Sequence, residues 1–134
     1  MIETYEWLFA PPGVRPEQWD PKRAAVALEH AIESHDSVVL VAEDQGALVG
    51  LCTGYLDLHS VRYGYRAWVE DLAVDPVRRS EGIGKALLDA AKDWGRERGA
   101  THLELDSGDA RHDAHRFYER ERPIWTSRQF SWEL

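Results

Sequence analysis

The 134-residue chain has one cysteine, one methionine and no long apolar run. A lone thiol, Cys52, excludes an intramolecular disulfide framework and a cysteine-based zinc cluster. Nothing approaches the roughly 20 consecutive apolar residues needed to span a bilayer. Positive charge is also scarce, with 16 Lys and Arg against 24 Asp and Glu and a formal net charge of −8. That deficit argues against nucleic acid or an anionic membrane as partner, because both require basic faces. The opening residues, MIETYEWLFAPPG, carry acids where a secretory signal carries bases, so the expected compartment is the cytoplasm. No repeat, low-complexity tract or Ser/Gly-rich linker interrupts the chain, and 43% hydrophobic with 30% charged residues is an ordinary globular balance. One domain over residues 1–134 is expected.

What charge there is falls unevenly. Residues 1–77 hold five basic and thirteen acidic side chains, residues 78–99 six and four, and residues 100–134 five and seven. The middle window alone is net positive.

Periodicity sets the expected elements. Ile2, Tyr5, Leu8 and Phe9 have helical spacing, and Asp20-Pro21 is a cap followed by a first-turn proline that opens a helix to about Ser34. Ser37–Ala42 and Leu48–Leu58 form an antiparallel hairpin around Glu43-Asp44-Gln45-Gly46. A strand over Ala67–Val74 stops at Asp75-Pro76, a helix runs from Gly82 to Arg98, and His102–Leu105 is a short strand. A helix from Ala110 to about Glu121 and a strand over Thr126–Leu134 complete the order. Antiparallel strands followed by a β-α-β unit give an α/β (α+β) fold: a mixed, mostly antiparallel sheet with helices on both faces.

The chemistry concentrates in the strand–turn–helix segment from Val69 to Leu88. Gly82 and Gly84 open the helix and let a ligand approach the backbone. The first helical amides lack internal acceptors, the helix dipole places partial positive charge there, and Arg78, Arg79 and Lys85 add full charges. A phosphate or pyrophosphate suits such a site. It is not a Walker loop, since Gly84-Lys85 is followed by Ala86, nor a dinucleotide fingerprint, since position 87 is Leu.

Arg79-x-x-Gly82-x-Gly84, after a strand ending Leu-Ala-Val-Asp-Pro, resembles the acyl-CoA motif of the GNAT N-acetyltransferase superfamily. Downstream, Ala114-His115-Arg116-Phe117-Tyr118 looks like the family's Ala-x-x-Phe-Tyr helix, with room for one helix and one strand between the two motifs. The resemblance covers residues 38–120 and implies acetyl-CoA as cosubstrate, with the acetyl group passing directly to the primary amine of a small, cationic molecule or of a protein. By position it implies that the main chain of Leu72, Ala73 and Val74 pairs with the pantetheine arm. Amides from Arg79, Ser80, Glu81, Gly82, Ile83, Gly84 and Lys85 would hold the pyrophosphate, with Asp109 and Phe117 also on the CoA side. Tyr118 would protonate the leaving thiolate. Glu70 aligns with the family's base or water-orienting residue, and standing two residues before Leu72 it is expected on the same sheet face as Leu72.

Three features depart from the family's pattern. Glu119-Arg120-Glu121-Arg122-Pro123 replaces the usual Gly-Phe after Phe-Tyr, Asp109 or Asp106 stands where Asn is common, and no strand precedes Tyr5–Phe9. A missing first strand exposes a sheet edge that a homodimer or the C-terminal strand could cover. These departures keep a second reading open, a non-catalytic acyl-CoA-binding or partner-binding module. Glu70-Asp71 can equally be a solvated strand end paired with Arg62 or Arg66, and Tyr118 a packing residue. His112 and His115 have metal spacing without a third ligand, so no metal is expected. Cys52 reads as a small buried hydrophobe. Tyr55 and the segment 63–68 are candidates for an acceptor pocket, core packing or a dimer contact.

Overall fold

The computed structural model describes residues 1–134, with the side chains of Leu58 and His59 outside the described set. A 3-10 turn (Ile2–Tyr5) runs into α1 (Glu6–Phe9), followed by α2 (Pro21–Glu33), β1 (Ser37–Asp44), β2 (Ala47–Ser60) and β3 (Gly64–Val74). A 3-10 turn at Pro76–Arg78 leads to α3 (Ile83–Glu97), β4 (His102–Glu104) and α4 (His112–Arg120). The sheet order is β1-β2-β3-β4. The first two pairings are antiparallel and β3–β4 is parallel, as the alternation of elements requires.

Local chemistry explains the boundaries. Asp20 accepts from the Lys22 amide at 3.0 Å and Pro21 occupies the first turn of α2. Asp75 does the same for Val77 at 3.1 Å, ending β3. Leu51 and Cys52 are consecutive in β2 and both fully buried. Since successive strand residues point to opposite faces, both faces of this central strand are covered. On one side Cys52, Val69, Leu87 and Ala91 form a cluster under α3. On the other, the Tyr5 hydroxyl reaches Asp71 and brings the N-terminal helices onto the sheet. α3 lies so close to β3 that a Cβ on Gly95 would sit 2.9 Å from that of Ala67.

Two expectations fail at the C-terminal end. α4 begins at His112, not Ala110. Thr126–Leu134 forms no strand, and Phe130 and Trp132 are 71% and 80% exposed. An alternating segment becomes a strand only against a partner ladder and a face to cover, and β4 is three residues long. Trp125, just before it, does pack, 5.7 Å from Tyr63 and 5.8 Å from His102 by ring centroids. The expected missing first strand agrees with the structure: the described residues before β1 contain no strand.

Candidate active site

The register of β2 against β3 places Gly54 opposite Val69 and Thr53 opposite Asp71, so Glu70 is an extra residue in β3, a β-bulge. Val69 and Leu72 both pack on the α3 side, and only an inserted residue between them permits that. The bulge thus corrects the expected parity. Glu70 does not share a face with Leu72; it joins its neighbour Asp71 on the side of Thr53 and Tyr5.

The two carboxylates have different surroundings. Asp71 accepts from the Tyr5 hydroxyl at 2.8 Å and from Thr53 Oγ1 at 2.9 Å. Burial, followed by the Asp71 charge, raises the Tyr5 phenol well above its ordinary value. Glu70 is exposed and accepts from Trp68 Nε1 at 2.8 Å. Tyr55 stands beside it, its phenol raised by burial and then by the Glu70 charge. Neither acid pairs with Arg66, which instead bridges Asp57 and Glu104 and so ties β2 and β4 to β3. Arg62 lies over the Tyr63 ring.

The parallel ladder between β3 and β4 stops at Trp68 and Glu104, while β3 continues to Val74. Beyond that point the strands part, and the β4-facing edge of residues 69–74 is left unpaired. A cavity of about 360 Å³ lies beside the gap. Glu70, Asp71, Leu72, Asp106, Ser107 and Tyr118 line it on the sheet and α4 side, and the N-terminal segment closes it opposite. Burial, then the neighbouring Cys52, pushes the Tyr118 phenol from 10.0 to about 12, so it carries its proton at neutral pH. Ser107 Oγ is buried and has no hydrogen-bond partner, alone in this among the described side-chain atoms. Asp106, not Asp109, lines the cavity; Asp109 is exposed on the preceding loop.

At the end of β3 the chain turns into α3. Gly82, at its N-cap, has φ 83° and no side chain with which to cap, and the amides of Ile83, Gly84 and Lys85 have no acceptor within the helix. The φ angle, rather than crowding, requires glycine at 82, since a Cβ there meets nothing within 4 Å. Ser80 is also left-handed, φ 64°. A Cβ on Gly84 would stand 3.6 Å from Phe117, an ordinary contact that seats α4 on α3. Two of the three cations proposed for this segment are engaged. Arg78 pairs with Asp44 and Glu81 at 2.9 Å each, and Lys85 with Asp89 at 2.9 Å and Glu121 at 3.3 Å. Arg79 is exposed and makes no ion pair among the described residues. Glu121, in the segment that departs from the family pattern, therefore fastens the end of α4 to the start of α3.

Residues 1–122 match the Acetyltransferase (GNAT) family. The chain belongs to this family. It is 38% identical over 91 residues to the uncharacterized N-acetyltransferase YhdJ of Bacillus subtilis, covering 68% of this chain and 63% of that protein. An aminoalkylphosphonate N-acetyltransferase of Salmonella typhimurium is 36% identical over 76 residues, 57% of this chain and 49% of that one. The chain thus spans about half of one of these relatives and 63% of the other, under two thirds of each. Among solved structures, a transcriptional regulator from Bacillus halodurans superposes with TM-score 0.84 at 21% identity, covering 99% of this chain and 92% of that one. The aminoglycoside acetyltransferase AAC(6')-Iy with a bisubstrate analog superposes with TM-score 0.79 at 17% identity, covering 99% and 90%. These structures share this chain's fold.

Sequence reasoning identified Glu70, Tyr118 and the start of α3 and offered Asp106 as the alternative to Asp109, but did not mark Tyr5, Thr53, Ser107 or Arg111 as cavity or support residues. Arg111 lines the cavity and donates to the Leu8 carbonyl at 2.9 Å, joining α4 to the N-terminal segment. Its only advance signal was a basic residue at the start of the Phe-Tyr helix. His112 and His115 meet edge-on at 6.2 Å between ring centroids, and no group of three or more potential metal ligands occurs among the described residues. No helix there is long and apolar enough to cross a membrane.

Proposed function

We propose that this GNAT domain is an acetyl-CoA-dependent N-acetyltransferase acting on the primary amine of a small molecule. The observation that carries the reading is the meeting, at one gap in the sheet, of an unpaired β3 edge, an uncapped helix start and a cavity holding Glu70 and Tyr118. The fit to a CoA ester rests on two features of the chain. The amides of Ile83, Gly84 and Lys85, with Arg79, suit a diphosphate, and the edge of residues 69–74 suits the amide groups of an extended arm. Ser107 Oγ, buried and unpaired, offers one more polar contact in the cavity. Acetyl-CoA supplies the activated acyl group as a thioester.

The chain's own residues supply the rest. Tyr118 holds a proton at its hydroxyl oxygen, ready for a thiolate. Glu70, oriented by the Trp68 indole, accepts a proton from the incoming ammonium directly or through water. Asp71, committed to two hydroxyls, holds the bulge and Tyr5 in place instead of taking part. The acids in and beside the cavity favour a cationic acceptor by their field.

The test is CoA release against an amine panel, with Tyr118→Phe and Glu70→Gln. Removing a positioned acid or base is expected to lower kcat by about 10²–10⁴, while acetyl-CoA still raises the melting temperature of both variants. Tight acetyl-CoA binding with no release for any amine would instead support the binding-module reading. Absence of any thermal protection at millimolar acetyl-CoA would remove both.

A further inference from the structure

The cavity is two-sided in its chemistry. Leu8, Phe9, Val14, Pro16 and Trp19 line it from the N-terminal segment, facing Glu70, Asp106 and Tyr118. The apolar wall is built from interlocking rings: Phe9 meets Trp19 edge-on at 4.7 Å, and Tyr5 meets Trp19 at 5.5 Å. Such contacts make a rigid surface. From this asymmetry, and resting on the acetyltransferase reading above, we infer that the acceptor is a monoamine with an apolar, aryl-sized body. It is not a polyamine or a polyamino sugar.

Charge accounting inside the cavity supports this. Asp71 accepts both the Tyr5 and the Thr53 hydroxyl on Oδ2, and with Glu70 and Asp106 it lines the sheet-side wall, where these carboxylates receive an ammonium. Arg111 lines the same cavity, hydrogen-bonded to Leu8 and therefore fixed there. A second ammonium at the far end of the acceptor would meet the N-terminal ring wall, which holds no carboxylate to offset its loss of water. An aromatic or branched aliphatic body instead covers Phe9 and Trp19 and gains by leaving water. The volume, about 360 Å³, lies at the lower end of the range for small-molecule pockets.

Initial rates of CoA release at fixed acetyl-CoA for 2-phenylethylamine, ethanolamine, spermidine and kanamycin test the inference on the unaltered protein. The expected order places 2-phenylethylamine first in kcat/KM, by at least about tenfold over the polycations. Trp19→Ala should raise KM for 2-phenylethylamine about tenfold with little change in kcat, and leave ethanolamine unaffected. Should that variant fail to fold, Val14→Asp serves instead. Val14 is 80% exposed yet lines the cavity, so its replacement should weaken 2-phenylethylamine and improve spermidine. Spermidine or kanamycin matching or exceeding the aryl amine would overturn the inference, as would Trp19→Ala affecting all amines alike. The two proposals fail separately. A protein that takes up acetyl-CoA and 2-phenylethylamine together by calorimetry yet releases no CoA would refute catalysis and sustain the amine class. Turnover of ethanolamine or spermidine without 2-phenylethylamine would do the reverse.

Discussion

Of the groups whose ionisation in alkali burial delays, three besides the exposed Tyr55 are moved furthest, and together they set a steep limit on alkaline stability. Cys52 is fully buried, and burial followed by the Asp71 charge raises its thiol from 9.0 to about 12. Tyr118 moves from 10.0 to about 12, and Tyr5 moves further in the same direction. In each case the folded chain retains a proton that the unfolded chain releases. The stability is therefore fully present below the unfolded pKa and is lost as pH rises towards the folded one. Each retained proton costs about 1.4 kcal/mol per pH unit. Between pH 9 and 10 only Cys52 differs, giving a slope of about 1.4 kcal/mol per unit. Above pH 10 all three differ, and the slope steepens to about 4 kcal/mol per unit. Against a total stability of about 5–15 kcal/mol, the domain should unfold within a few units above pH 10. Urea unfolding at pH 8, 9, 10 and 10.5 measures the slopes. Cys52→Ala should lower the starting stability through its cavity and remove the first slope. Tyr5→Phe should remove about one proton's share of the second. Stability that stays flat to pH 11, or a pH 9–10 slope unchanged in Cys52→Ala, would refute the reasoning.

Other expectations follow from single features. Gly82→Ala places a side chain in open space but at φ 83°, so it should cost about 1–2 kcal/mol from backbone conformation alone, read as a shift in urea midpoint at unchanged m. Asp71→Ala leaves the Tyr5 and Thr53 hydroxyls without their shared acceptor. Two hydrogen bonds to a charged group, partly exposed, amount to about 2–4 kcal/mol, and protease should then cut the N-terminal segment before the sheet. Ser107→Ala removes an unpartnered buried hydroxyl, so stability should hold or rise slightly while acetyl-CoA affinity falls, as calorimetry would register.

Local rules predicted much of this molecule. Asp20-Pro21, the β1–β2 hairpin and the amphipathic α3 each signal themselves within a few residues, because caps, turns and helical stripes are short-range devices. The helix start at Gly82 was legible for the same reason. The carboxylate geometry was not. Counting by twos along β3 fails at Glu70, and within β3 no glycine or proline marks the bulge; its sign lies on the partner strand, where the register breaks at Gly54 and a Cβ would stand 2.8 Å from the Trp68 carbonyl. Asp71's role depends on Tyr5, 66 residues earlier, and the apolar wall depends on α1 meeting the loop after β4. The segment 126–134 failed in the opposite sense: its pattern is locally correct for a strand, but pairing needs a neighbour that the pattern cannot supply.

The bulge also bears on how this strand tolerates change. Removing a residue from a strand interior normally slips the register and turns the rest of the strand inside out. Here Gly54 opposes Val69 and Thr53 opposes Asp71, so excising Glu70 would close the ladder without moving any other side chain to the wrong face. Glu70 is a spare position in the architecture, free to vary without cost to the sheet. The scaffold and the acid are separable, and a lineage could lose or regain a carboxylate here through a single codon while the fold passed on unaltered.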